Sequence, residues 1–178
     1  MSLLKSIVAI ACLLVLPAGA EDRHAPQDGP IQTPEAIRTE HQHLHEQLEA
    51  AMSAGGKTGQ AAKKVQQVLA PHFAEEEKLA MPPLGLLDDI AQGKVTPEMR
   101  PAIAMGEKLR ANLPRFLEEH EKIKAALKDL EAAASAEDKP EQIEFARKLI
   151  LHAQHEEQVL YPAAILVGEH VRMKLQEK

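Results

Sequence analysis

The chain is poor in the residues that most metal, redox and nucleic-acid sites depend on. It has one cysteine, no tryptophan, one tyrosine and three phenylalanines in 178 residues. A single cysteine excludes an internal disulfide, a thiolate zinc cage and an iron–sulfur site. There is no basic excess either: 21 Lys+Arg stand against 27 Asp+Glu, a formal charge of −6. That balance argues against a nucleic-acid partner, which needs a basic face to neutralise phosphates. No apolar run is long enough to span a bilayer. What remains is a globular composition, 44% hydrophobic, carrying nine histidines. Nine imidazoles against four aromatic rings is the imbalance that calls for an explanation.

Residues 1–20 read as a secretory signal. Lys5 supplies a short positive region, residues 6–17 are apolar, and Ala18-Gly19-Ala20 is a small-residue cleavage site. Cleavage after Ala20 removes Cys12, the only cysteine, and places the mature chain in the periplasm or outside the cell. Residues 21–33 are polar and proline-containing and read as a flexible lead-in. Residues 34–178 then form one domain of helical periodicity, with no strand-like alternation.

The expected helices follow from caps and breakers. The first runs from Thr33 or Pro34 to Ser53, with Thr33 as N-cap and Gly55-Gly56 ending it. The second covers about residues 58–80 and stops before Pro82-Pro83. The third starts at Thr96-Pro97-Glu98 and reaches about Ala136, with Pro114 as a kink or break. The fourth opens at Pro140 and runs to about Tyr161, where Pro162 interrupts it before a short C-terminal helix. The expected fold is all-α: an antiparallel four-helix bundle built from a duplicated helical hairpin, with that short extra helix.

Duplication is visible in the residues. His72-x-x-x-Glu76, ending at Met81-Pro82, aligns with His152-x-x-x-Glu156, ending at Tyr161-Pro162, at an offset of 80. Glu40-His41 aligns with Glu119-His120 at an offset of 79. Each of these histidines falls in the apolar seam of its own helix, and a spacing of four puts each Glu one turn from its His on the same face. Burying two unpartnered carboxylates costs several kcal/mol per charge, a penalty that a shared metal site removes. One His-x-x-x-Glu pair is weak evidence, since His45 and Glu49 form another with no counterpart, and a lone seam histidine is more often a hydrogen-bonded core residue than a ligand. Six in phase, in two matching copies, make His41, His72, Glu76, His120, His152 and Glu156 candidate metal ligands, with Glu76 and Glu156 each able to bridge. Four imidazoles and two carboxylates suit iron, manganese or zinc. Coordination positions would stay open for solvent, O2, peroxide or NO.

These residues and their order resemble the hemerythrin-like, or HHE cation-binding, family over about residues 34–162. The resemblance implies a four-helix bundle around a carboxylate-bridged non-haem centre of two iron ions, with the six residues as ligands and zinc or manganese as alternatives. It also implies a small diatomic ligand, O2 or NO, held for simple binding, sensing or stress protection. The rival readings are an NO- or peroxide-detoxifying enzyme and a periplasmic iron or zinc buffer. Lys124 stands four residues after His120, so the third helix lacks a His-x-x-x-His pair; His45, one turn after His41, is a candidate additional ligand. His43, His155, His24 and His170 read as peripheral, and the other acidic residues around Glu75–Lys78 and Glu118–Lys124 as solvated faces. Tyr161 reads as core packing that can also approach the metal pocket. No nucleophile–base pair or phosphate loop suggests a dedicated enzyme. No partner protein is identified by the sequence.

Overall fold

The computed structural model describes residues 31–177, and the expected signal segment and most of the lead-in lie outside them. Within them the chain is all-helical. The helices are α1 (Glu35–Ser53), α2 (Gly56–Leu79), the short α3 (Leu87–Ala91), α4 (Pro101–Ala136), α5 (Pro140–His155) and α6 (Tyr161–Gln176). A five-residue π-helical turn, Glu156–Leu160, joins α5 directly to α6. No helix among the described residues is long and apolar enough to cross a membrane.

Prolines set the boundaries, though not always as the sequence suggested. Pro34, not Thr33, occupies the cap position of α1, and no side chain caps that end. Thr96-Pro97-Glu98 opens only a short 3-10 turn, Pro97–Met99, and α4 begins at Pro101. A proline fits the first turn of a helix but not its fifth position, so Pro101 forces a restart. Pro114 does not break α4, which continues for 36 residues with buried Leu109 and Phe116 on either side of it. Pro162 does not interrupt the last helix either. The π turn lies immediately before it, where a proline's missing N–H and its clash with the preceding turn favour a widened backbone.

The helices pack as a bundle in which α1 lies against α2 and α5, α2 against α4, and α4 against α5 and α6. Two apolar clusters fill its interior. One includes Leu44, Leu48, Val65, Leu69, Phe73, Ile123, Leu127 and Phe145. The other is built from Leu79, Met81, Leu84, Leu109, Phe116, Tyr161 and Ala164. Passing along α2, or along α5 and on through the π turn into α6, the chain goes from the first cluster to the second, and along α1 or α4 from the second to the first, with Ile37 of α1 packed at the second cluster's edge. The level between the clusters carries the six polar residues singled out above. A third, smaller cluster gathers Ile31, Leu86, Val95, Met99, Val167 and Val171. There the segment before α1 crosses so close to the Pro82–Leu86 turn that a Cβ on Gly85 would overlap the Gln32 carbonyl oxygen.

Candidate metal centre

All six expected ligands are buried at that level: His41, His72, Glu76, His120, His152 and Glu156 are each no more than 3% exposed. They form two groups of donor atoms lying within 4.8 Å of one another. His72, Glu76, His120 and Glu156 make the first, and His41, His152 and Glu156 the second. These groups can hold metal ions. His45 joins neither; it is half-buried, with its ring edge-on to Phe73 at 5.2 Å. His43 and His155 are exposed and His170 half-buried, while His24 lies outside the described residues.

Each of the four candidate-ligand histidines faces an outer carboxylate through Nδ1. The distances are 3.2 Å from His41 to Glu77, 3.0 Å from His72 to Glu119, 3.0 Å from His120 to Glu157 and 3.2 Å from His152 to Glu40. An ionised carboxylate only accepts, so it fixes the proton on Nδ1 and leaves the Nε2 lone pair pointing inward. The four contacts run in a ring, each helix aiming the histidine of the next. Two of these residues, Glu77 and Glu119, correct the reading of those segments as solvated faces, and Glu40 and Glu157 were not singled out for a role at all. They were missed because they flank the seam and look polar on a helical wheel. The available signal was the register of the repeat, since Glu40 pairs with Glu119 and Glu77 with Glu157 at the same offsets as the ligands. Arg115 bonds Glu119 at 2.6 Å and Lys124 bonds Glu157 at 3.1 Å, anchoring two of the four from outside.

The inward atoms are crowded and short of partners. His72 Nε2 and His120 Nε2 stand 2.9 Å apart. With both Nδ1 atoms protonated toward carboxylates, these are two lone pairs face to face, an arrangement that only a proton or a metal ion between them stabilises. Both oxygens of Glu76, Oε1 of Glu156, and Nε2 of His41 and His152 have no hydrogen-bond partner among the described residues. His152 Nε2 lies 2.7 Å from Glu156 Oε1, but without hydrogen-bond alignment. Orphaned buried donors of this kind are the observation that a metal fits.

Electrostatics point the same way. Burial pushes Glu76 well above the usual carboxylate range, with the nearby Glu156 adding to it. Burial also acts to raise Glu156, but contacts with His120, His152 and His41 outweigh it and hold that carboxyl well below the usual range. Burial opposes charge on His41, yet Glu156 and Glu77 prevail and raise its imidazole to about 9. His72 is lowered, chiefly by burial. Without a metal, a proton on His41 Nε2 supplies part of the positive charge that Glu156 demands; a cation among the donors would take that proton's place and free the lone pair.

Aromatic rings close the site. Phe73 stacks on His41 at 4.7 Å and stands edge-on to His152. Phe116 meets His72 edge-on at 5.4 Å. Tyr161, fully buried, stacks beside His120, with its hydroxyl 3.1 Å from His120 Nε2 and 3.5 Å from His72 Nε2. Burial pushes its phenol strongly upward, with the Glu76 charge adding to the shift.

No family model matches the chain, and no curated protein or solved structure matches it. The functional reading therefore stands on the site itself.

Proposed function

We propose that this chain is an exported hemerythrin-like protein, an antiparallel bundle of two duplicated helical hairpins that holds two non-haem iron ions and binds a diatomic ligand, O2 or NO. One observation carries the reading: four buried imidazoles, their Nδ1 atoms facing outer carboxylates, turn Nε2 toward two buried carboxylates whose oxygens are largely without partners. Each group of donors contains two histidines and at least one carboxylate. That combination, with positions left open, is the set associated with non-haem iron(II), and the lack of sulfur disfavours copper(I) and iron–sulfur chemistry. The alternating order of the two apolar clusters along α1, α2, α4 and the α5–α6 run supports the antiparallel hairpin reading. Export rests on the composition of residues 1–20.

A pair of iron ions supplies open coordination positions and the electrons that stabilise a bound diatomic. The protein's own share is positioning. The outer carboxylates hold the imidazoles in one tautomer and orientation, so the site needs little rearrangement on loading. Phe73 and Phe116 wall the centre and keep bulk water away from the ligand atoms. Tyr161 places a hydroxyl among the inward nitrogens, where, still holding its proton, it can donate a hydrogen bond to a buried acceptor once those lone pairs are engaged.

The test is metal quantitation with optical spectra of the protein, reduced and then exposed to O2 and to NO. Two irons per chain and a spectrum that changes on exposure are expected. Less than one iron per chain overturns the two-iron reading. Turnover of NO or peroxide that disappears in Glu76→Ala would move the protein from binding to enzymatic detoxification, and labile, substoichiometric uptake would make it a metal buffer.

A further inference from the structure

Six large apolar side chains are exposed among the described residues, and four of them lie on the continuous helix formed by α5, the π turn and α6. These are Leu151 (51%), Val159 (57%), Leu166 (66%) and Met173 (53%). Single exposed apolar residues are ordinary, but four in one line are not. Their spacings are eight, seven and seven residues. Residues seven apart share a face of an α-helix, and the π turn absorbs the one extra residue between Leu151 and Val159. The inner face shows the same insertion, its fully buried positions stepping five residues from Glu156 to Tyr161. The first half of the chain carries no such stripe, because α2 ends at Leu79.

We propose that this outward face is the interface of a homodimer, in which the α5–α6 helices of two copies pack antiparallel about a two-fold axis near Pro162 and Ala163. The face points away from the donor layer, so the pairing stands or falls apart from metal binding.

The residues are self-complementary in that arrangement. Leu151 comes opposite the partner's Met173, and Val159 opposite the partner's Leu166, and each contact occurs twice, as a two-fold interface requires. The charges obey the same symmetry. Lys148, exposed one turn before Leu151, comes opposite the partner's Glu177, and His155 opposite the partner's Glu169. Both carboxylates already meet a cation in their own chain, Glu177 with Lys174 at 2.9 Å and Glu169 with Arg110 at 2.8 Å. A carboxylate has about four acceptor sites, so each can take a further donor. A parallel pairing would instead set Lys148 against Lys148 and Glu177 against Glu177, which repels. At the crossing point Pro162 and Ala163 carry no long side chain, so the helices can approach.

The stripe from Leu151 to Met173 covers about 33 Å of helix, on a face about 10–12 Å wide. That is the small end of specific interfaces, so the dimer is weak, with a dissociation constant on the order of 10 μM.

Sedimentation equilibrium of the purified protein, over about thirtyfold either side of that constant, reads the association. Wild type is expected to pass from monomer to dimer and no further. Leu166→Glu buries a charge in the apolar line and should weaken the dimer at least about tenfold; the side chain is exposed, so circular dichroism should show an unchanged fold. Glu177→Lys should weaken it about fivefold, and adding Lys148→Glu should bring it back to within about twofold of wild type, because the opposite signs face each other again. Wild type that stays monomeric throughout overturns the proposal, as does a dimer that Leu166→Glu leaves unchanged. A double reversal as weak as Glu177→Lys alone overturns the antiparallel register. Phosphatidylglycerol vesicles test the other occupant: monomer that cosediments with them, and no longer does so as Leu166→Glu, would make the stripe a membrane contact and overturn the dimer.

Discussion

At the scale of single residues, the work of the site is divided between atoms that point inward and atoms that aim them. Glu119 shows the division. Its carboxylate lies 3.0 Å from His72 Nδ1 and is itself gripped by Arg115, so it holds a ring whose other nitrogen faces the centre. Burial acts to raise Glu119, but the His72 and Arg115 contacts prevail and keep it below the usual carboxylate range. Glu119→Ala should therefore leave the helices intact and weaken metal binding by about 10- to 100-fold, as removal of an orienting partner does elsewhere. Chelator competition reads the affinity and circular dichroism the fold; wild-type affinity in the variant would show that the contact does not aim the ligand. The inward residues were legible in the sequence because a histidine or glutamate within an apolar seam has no solvent to face. Glu119 was not, because a carboxylate on the flank of a helix looks the same whether it meets water or an imidazole. His45 shows the reverse error of pattern: one turn from His41 in sequence, it meets Phe73 and not the donor groups.

Among the helices, α4 and α6 come into close backbone contact. A Cβ on Gly168 would stand 2.7 Å from the Ala102 carbonyl oxygen, a backbone atom that cannot swing aside. Gly106 is less confined, with its nearest neighbour, the Gly168 Cα, at 3.4 Å. Gly168→Ala should cost about 1–3 kcal/mol of stability by forcing the helices apart, and Gly106→Ala should cost less; denaturant unfolding of the two variants checks the order. At the opposite end of the bundle, Glu137, just past α4, accepts from the backbone N–H groups of Lys57 and Thr58 at the start of α2. Lys139 meanwhile donates to the carbonyls of Ala54 and Gly55 beyond α1. The Thr58 hydroxyl, with those N–H groups and Lys139, holds the Glu137 carboxyl at about 2, below its ordinary 4.5. A carboxyl depressed on folding contributes stability at pH above its unfolded value and loses it as pH falls. The Glu137 contribution should therefore fade between about 4.5 and 2. Glu137→Gln should be less stable than wild type at pH 6, and the gap between them should close on acidification; a gap that stays constant down to pH 2 would rule this cap out. The helices themselves were legible from their periodicity, but this clamp joins residues about 80 positions apart, and no local cap rule reaches so far. Nor could proline alone reveal whether a helix stops, as after Leu79, or widens and continues, as before Pro162.

For the molecule as a whole, the level between the two apolar clusters is costly to fold without a cation. Two carboxylates and four imidazoles are taken out of water there, and several of their inward atoms gain no hydrogen bond in exchange. A domain's net stability is only about 5–15 kcal/mol, so this layer weighs heavily in the balance, and the apolar clusters above and below it must carry the metal-free fold. A metal that binds the folded chain and not the unfolded one stabilises it by mass action, about 2.7 kcal/mol for one site at a free concentration 100 times its dissociation constant. For a domain of this size that corresponds to a rise in Tm of roughly 5–10 °C. Chelation should therefore lower Tm by at least that amount, and stepwise return of metal should raise it in a concentration-dependent way. The doubly substituted Glu76→Gln, Glu156→Gln protein separates this linkage from nonspecific surface binding. It removes both buried carboxyls while keeping the shape of the core; the desolvation cost of Glu156 goes together with its contacts to His120, His152 and His41, so the variant's metal-free Tm should stay close to or above that of metal-free wild type. Added metal should leave that variant's Tm almost unmoved. A wild-type Tm indifferent to metal, or a variant that still responds to it, would place any bound ion outside the six-residue layer and leave the buried carboxylates without their counter-charge.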